Sequence, residues 1–181
     1  VEQVLVVVAD ERATTRLLAE LVTEGVRVAG FEPLLVPVEK VPADLSPYRL
    51  VFLGYQAPLL FHQPLSRFLQ TRGPSLRGRT LALFHSYSAR YGRYFFRKLV
   101  RRLSSLGCEP KFTLSLRRRG WWAFIGGGWL AEEDLARAKA FGERTSNTVY
   151  GVRVRKESEK ARIKGYQKPA GKPSADLRSA A

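Results

Sequence analysis

The chain has 181 residues, of which 45% are hydrophobic, enough for one domain with a substantial core and too many for wholesale disorder. Its 31 basic and 16 acidic residues leave a net charge of +15, which points to an anionic partner or a strongly solvated face. One cysteine and two histidines exclude an intramolecular disulfide and argue against a Cys- or His-based metal centre.

Val4 to Ala9 is a continuous run rich in β-branched residues, the pattern of a strand buried on both faces. Asp10 follows as an expected N-cap, and residues 15–26 carry helical spacing through Leu17, Leu18, Leu21 and Val22. Gly25 and Gly30 flank a short segment with Val26 and Val28. Pro33 to Pro37 is a second strand candidate, placed at an edge by its prolines, and Arg49 to Gly54 is a third. A helix over Pro64 to Thr71 closes at Gly73-Pro74, and Thr80 to His85 is a fourth strand.

The next helix is amphipathic. Phe95, Phe96, Leu99, Val100, Leu103 and Leu106 form its apolar stripe, and Arg93, Arg97, Lys98, Arg101 and Arg102 occupy the other side. Gly107 ends it, and Phe112 to Leu116 is a fifth strand. Arg117-Arg118-Arg119 and a Trp/Gly segment from Trp121 to Trp129 come next. A last helix opens on Ala131-Glu132-Glu133-Asp134, with acidic residues suited to its dipole, and is expected to end near Arg144. Strand and helix alternate throughout, so the expectation is a parallel sheet with helices on both faces. Residues 1–150 read as one domain and 151–181 as a flexible basic tail.

Charge is unevenly placed. Residues 1–66 hold five basic and eight acidic residues, residues 67–151 hold 17 and five, and residues 152–181 hold nine and three. The ridge of Arg93, Arg97, Lys98, Arg101 and Arg102 is the candidate surface for an anionic partner, nucleic acid or an acidic protein. A solvated face in an Arg-rich protein is the alternative. No run near the start is long enough to span a bilayer, and no basic region precedes an apolar stretch there, so a soluble, reducing, cytoplasmic setting is expected.

Three pieces of sequence resemble the flavodoxin family, over about residues 3–148. Thr15, with Ala19 four residues on, is similar to the end of a phosphate loop and the start of the first helix. Leu53-Gly54-Tyr55-Gln56-Ala57-Pro58-Leu59, followed by Pro64 and Phe68-Leu69, resembles the loop and helix after strand three. His85-Ser86-Tyr87-Ser88-Ala89-Arg90-Tyr91-Gly92 takes the place of the loop after strand four. The resemblance implies an α/β three-layer fold with a five-stranded parallel sheet in the order 2-1-3-4-5. It also implies FMN, held at the carboxyl ends of strands one, three and four by Asp10, Arg12, Ala13, Thr14, Thr15, Gly54, Tyr55, Gln56, Ala57, Pro58, Ser86, Tyr87, Ser88 and Tyr91.

The phosphate loop departs from the family pattern. Ala13 stands at the glycine position, and Asp10 and Glu11 stand where hydroxyls are expected, so a bound phosphate requires both carboxylates to point away. Tyr55, Tyr87 and Tyr91 are candidates to flank the flavin ring or, equally, to cover the sheet edge, and His85 is either near the flavin or a packing residue. Trp121, Trp122 and Trp129 cover the site, form a partner patch or pack in the core. Gly126-Gly127-Gly128 reads as a mobile loop, and Cys108 as a small buried residue. The implied function is FMN-dependent electron transfer or a small flavin oxidoreductase, with a redox protein or a nicotinamide cofactor as partner. The rival is a flavin-free binding module using its basic helix and tail.

Overall fold

The computed structural model describes residues 2–10, 12–56, 63–88, 92–120 and 128–151. Among the described residues there are five strands: β1 (Gln3–Val8), β2 (Glu32–Pro37), β3 (Tyr48–Gln56), β4 (Thr80–Tyr87) and β5 (Pro110–Arg117). All pair in parallel, as the alternating sequence pattern predicts, and in the order β2-β1-β3-β4-β5 that the family resemblance implies. Four helices connect them or follow them: α1 (Ala13–Val28), α2 (Gln63–Thr71), α3 (Gly92–Ser105) and α4 (Glu132–Tyr150).

Strand alternation divides the core into two layers. Val4 and Val6 of β1, with Phe52 and Phe84, pack under Leu18 and Val22 of α1 and Ala138 and Phe141 of α4. Leu5 and Val7, with Leu53 and Leu83, face Phe68 of α2 and Leu99 and Leu103 of α3. Each fully buried aliphatic side chain contributes about 1.5–3 kcal/mol by leaving water, so these central strands hold the fold. Edge strand β5 differs. Leu114 and Leu116 are buried toward α4, whereas Lys111, Thr113, Ser115 and Arg117 are exposed on the other face, where charge discourages further strand pairing.

Three local expectations need correction. Asp10 is not the N-cap of α1. That position is Arg12, in extended backbone with no side-chain cap. The first helix does not stop at Val26 but runs on to Val28, and Gly25 within it admits the α4 backbone. α4 does not stop near Arg144 but continues to Tyr150. In its hydroxyl-rich end, Ser146 and Thr148 direct their hydroxyls to the carbonyls of Gly142 and Arg144, four residues back, and so satisfy them within the helix. The Tyr150 hydroxyl then anchors the helix end, donating to the Gln3 carbonyl at 3.0 Å and accepting the Leu50 N–H at 3.2 Å. Among the described residues no helix is long and apolar enough to cross a membrane. The expected tail, 152–181, lies outside the described residues.

Candidate functional site

In a parallel sheet all strands end on one side, and β1 sits where the connections turn from β2 to β3. Such a reversal is where sheets of this kind form a ligand crevice, here at the carboxyl ends of β1 and β3, between the start of α1 and the end of β4. The structure brings Asp10, Arg12, Ala13, Thr14, Thr15, Gly54, Tyr55, Gln56, Ser86, Tyr87 and Ser88 to this edge. Ala57, Pro58 and Tyr91 lie outside the described residues, as do Glu11, Trp121 and Trp122.

These residues play different parts. Asp10 is buried; its Oδ1 accepts the Arg12 N–H at 3.1 Å and its Oδ2 the Gln56 N–H at 2.8 Å. Beside it, the Ala9 N–H donates to the Gly54 carbonyl at 2.8 Å, which continues the β1–β3 pairing. Thr15 and Ser86 are fully buried, and neither hydroxyl has a hydrogen-bond partner among the described residues. Leaving a buried hydroxyl unmatched costs about 1–3 kcal/mol, so both are positions where a ligand or water gains an interaction. The first N–H groups of α1 add donors, because Arg12 offers no side-chain cap and the first intrahelical bond is Arg16 N–H to the Arg12 carbonyl.

Gly54 has a packing reason of its own. A Cβ there would stand 2.1 Å from the Phe84 ring. Tyr55 points away from the crevice, into the layer beneath α3, where it is 2% exposed and its ring lies parallel to His85 with centroids 5.0 Å apart. His85 is also stacked on Phe96 at 5.1 Å and hydrogen-bonds Ser115 Oγ through Nε2 at 2.7 Å. Burial raises the Tyr55 phenol above its ordinary range and lowers the His85 imidazole to about 4. Both therefore sit in the packed layer, since strand alternation aims them opposite to Gly54 and Ser86. Tyr87 is half-buried, leans toward His85, and lies against Gly92 at the start of α3. Cys108 is buried, as expected.

Sequence reasoning passed over Arg118. It is 2% exposed, just past β5, with its N–H donating to the Tyr87 carbonyl at 2.9 Å. Desolvation and then the Arg12 charge lower its pKa, and Asp10 opposes them. The alternation Leu114, Leu116, Arg118 was the signal for an inward-facing guanidinium. Around it, Arg12, Arg93, Arg117 and Arg119 are exposed. Arg119 and Trp129 exchange backbone hydrogen bonds of 2.8 and 3.1 Å, and the Trp129 ring, 62% exposed, covers Gly120. On α3, Arg93, Arg97, Lys98, Arg101 and Arg102 are all exposed. No group of His, Cys, Asp and Glu among the described residues is arranged to hold a metal.

No protein-family model matches the sequence, and no curated protein matches it. Solved structures do. A flavodoxin from the domain Archaea superposes with a TM-score of 0.60 at 16% identity, covering 82% of this chain and 99% of that one. A Streptococcus pneumoniae flavodoxin gives 0.63 at 16% identity, covering 81% and 99%. The flavodiiron protein from Giardia intestinalis gives 0.60 at 16% identity, with 84% of this chain matching 37% of that one. Strand order, helix placement and these superpositions together establish that the chain has the flavodoxin-like fold.

Proposed function

We propose that this chain is an FMN-binding electron-transfer domain that meets its redox partner across a basic surface. The observation that carries the reading is a pair of buried hydroxyls, Thr15 and Ser86, that have no hydrogen-bond partner among the described residues and stand at the carboxyl-end edge where β1 and β3 meet. Flavodoxins among the similar structures support it at the level of fold. The residues suit a flavin in most respects. Thr15 and Ser86 offer hydroxyls, the uncapped start of α1 offers N–H donors, and Arg12 and Arg118 offer positive charge. The loop amides of Arg12 and Gln56 are the exception, because Asp10 already uses them.

When bound, the flavin supplies the redox chemistry, and the protein supplies orientation and field. Thr15 and Ser86 would fix the polar side of the ligand. Arg12 and Arg118 would favour its reduced, anionic form by Coulomb attraction, so a less negative reduction potential is expected than in a site ringed by carboxylates. The exposed arginines 12, 93, 117 and 119 surround the same edge and suit a partner whose docking face is acidic.

The test is a titration of the purified chain with FMN, followed by quenching of flavin fluorescence, alongside a Thr15→Ala variant. Saturable binding that weakens about tenfold in the variant supports the reading, since one lost hydrogen bond to a buried ligand is of that order. No binding by the wild-type chain overturns it. Binding equal in both proteins removes Thr15 from the site.

A further inference from the structure

Asp10 is the one described carboxylate at the crevice, and it does not point away from it. It is 4% exposed, and each of its oxygens has a backbone donor: Arg12 N–H at 3.1 Å from the α1 side and Gln56 N–H at 2.8 Å from the β3 side. The carboxylate therefore bridges the two chain segments that bound the crevice. Those amides, directed at one anionic group beside a helix N-terminus, are the donors that a ligand phosphate would seek there. Here the anion is part of the chain.

Two further observations fit. Arg118 is buried, and its charge interacts favourably with that of Asp10, so it compensates an internal carboxylate as it would an external anion. Ala13, exposed at the first position of α1, carries a Cβ where a glycine would let a phosphate approach the loop backbone more closely. A dianion brought to this helix start would compete for the same amides and meet the Asp10 charge at short range, where repulsion is weakly screened.

We propose that Asp10 is a built-in substitute for the ligand's phosphate, so that the site selects a flavin by its ring and ribityl chain and gains little from a terminal phosphate. This rests on the flavin reading and refines it. Asp10 acts through ligand selection; it is a specificity-determining residue and takes no part in electron transfer.

The experiment compares riboflavin and FMN, each titrated by fluorescence quenching into the full wild-type chain, with inorganic phosphate as competitor. The expected result is that the two flavins bind within about threefold of each other and that phosphate displaces neither. Asp10→Ser, which removes the charge and frees the amides, is expected to raise the ratio of FMN to riboflavin affinity about tenfold and to make FMN binding phosphate-sensitive. A wild-type chain that binds FMN more than about tenfold tighter than riboflavin overturns the proposal while leaving the flavin reading intact. Failure to bind either flavin overturns both. The wild-type ratio needs no variant, so the proposal stays testable if Asp10→Ser does not fold; Asp10→Asn, which keeps one acceptor oxygen, is the second variant.

Discussion

Gly25 of α1 and Gly142 of α4 each press against the other helix's backbone. A Cβ on Gly25 would lie 2.0 Å from the Lys139 carbonyl oxygen, and one on Gly142 would lie 2.2 Å from that of Val22. The helices cross at backbone contact, and a backbone cannot turn aside as a side chain can. Gly25→Ala or Gly142→Ala is therefore expected to cost about 1–3 kcal/mol despite alanine's better helix propensity. Denaturant unfolding checks this; a stabilised variant would show that the helices separate freely.

His85 makes stability depend on pH. Burial lowers its folded-state pKa to about 4 from an ordinary 6.5, so the unfolded chain takes up the proton first as pH falls. The stabilisation associated with the neutral imidazole is full above pH 6.5 and is lost progressively down to about pH 4, amounting to about 3 kcal/mol. His85→Phe keeps a ring between Tyr55 and Phe96, loses the Ser115 hydrogen bond, and should flatten this part of the profile. Parallel melting curves at pH 7 and pH 5 for the two proteins would refute the assignment.

Tyr150 fastens the end of α4 to the starts of β1 and β3 through the Gln3 carbonyl and the Leu50 N–H. Tyr150→Phe keeps the ring beside Phe31, with centroids 4.8 Å apart in the wild type, and removes only the hydroxyl. A loss of about 1–2 kcal/mol is expected, with an unchanged denaturant slope. No loss would mean that water replaces the hydroxyl without cost.

The α3 ridge is the proposed anionic-partner surface. Replacing Arg93, Arg97 and Arg101 with Gln is expected to weaken binding to an acidic ferredoxin and to reduce its salt dependence between about 50 and 200 mM. RNA and anionic vesicles are the comparison ligands. Unchanged affinity and salt slope for all three would leave the ridge a solvated face.

Much of this architecture is local in origin and could be read before folding. Runs such as Val4 to Val8 must be buried on both faces, the amphipathic spacing of α3 turns Leu99 and Leu103 inward and Arg97 and Arg101 outward, and strand–helix alternation makes the sheet parallel. The tertiary structure decided what depends on residues far apart in the chain. Asp10 reads as a helix cap until Gln56, 46 positions later, is brought to its other oxygen. The need for glycine at position 25 appears only when α4 lies across it, and α4 reads as ending near Arg144 until Tyr150 meets Gln3, 147 positions away. Tyr55 and His85 resemble site residues until strand alternation turns them under α3. Propensity and periodicity report only the energy of a segment with itself, whereas the state of a carboxylate, a glycine or a ring at this crevice is set by the partner that folding places against it.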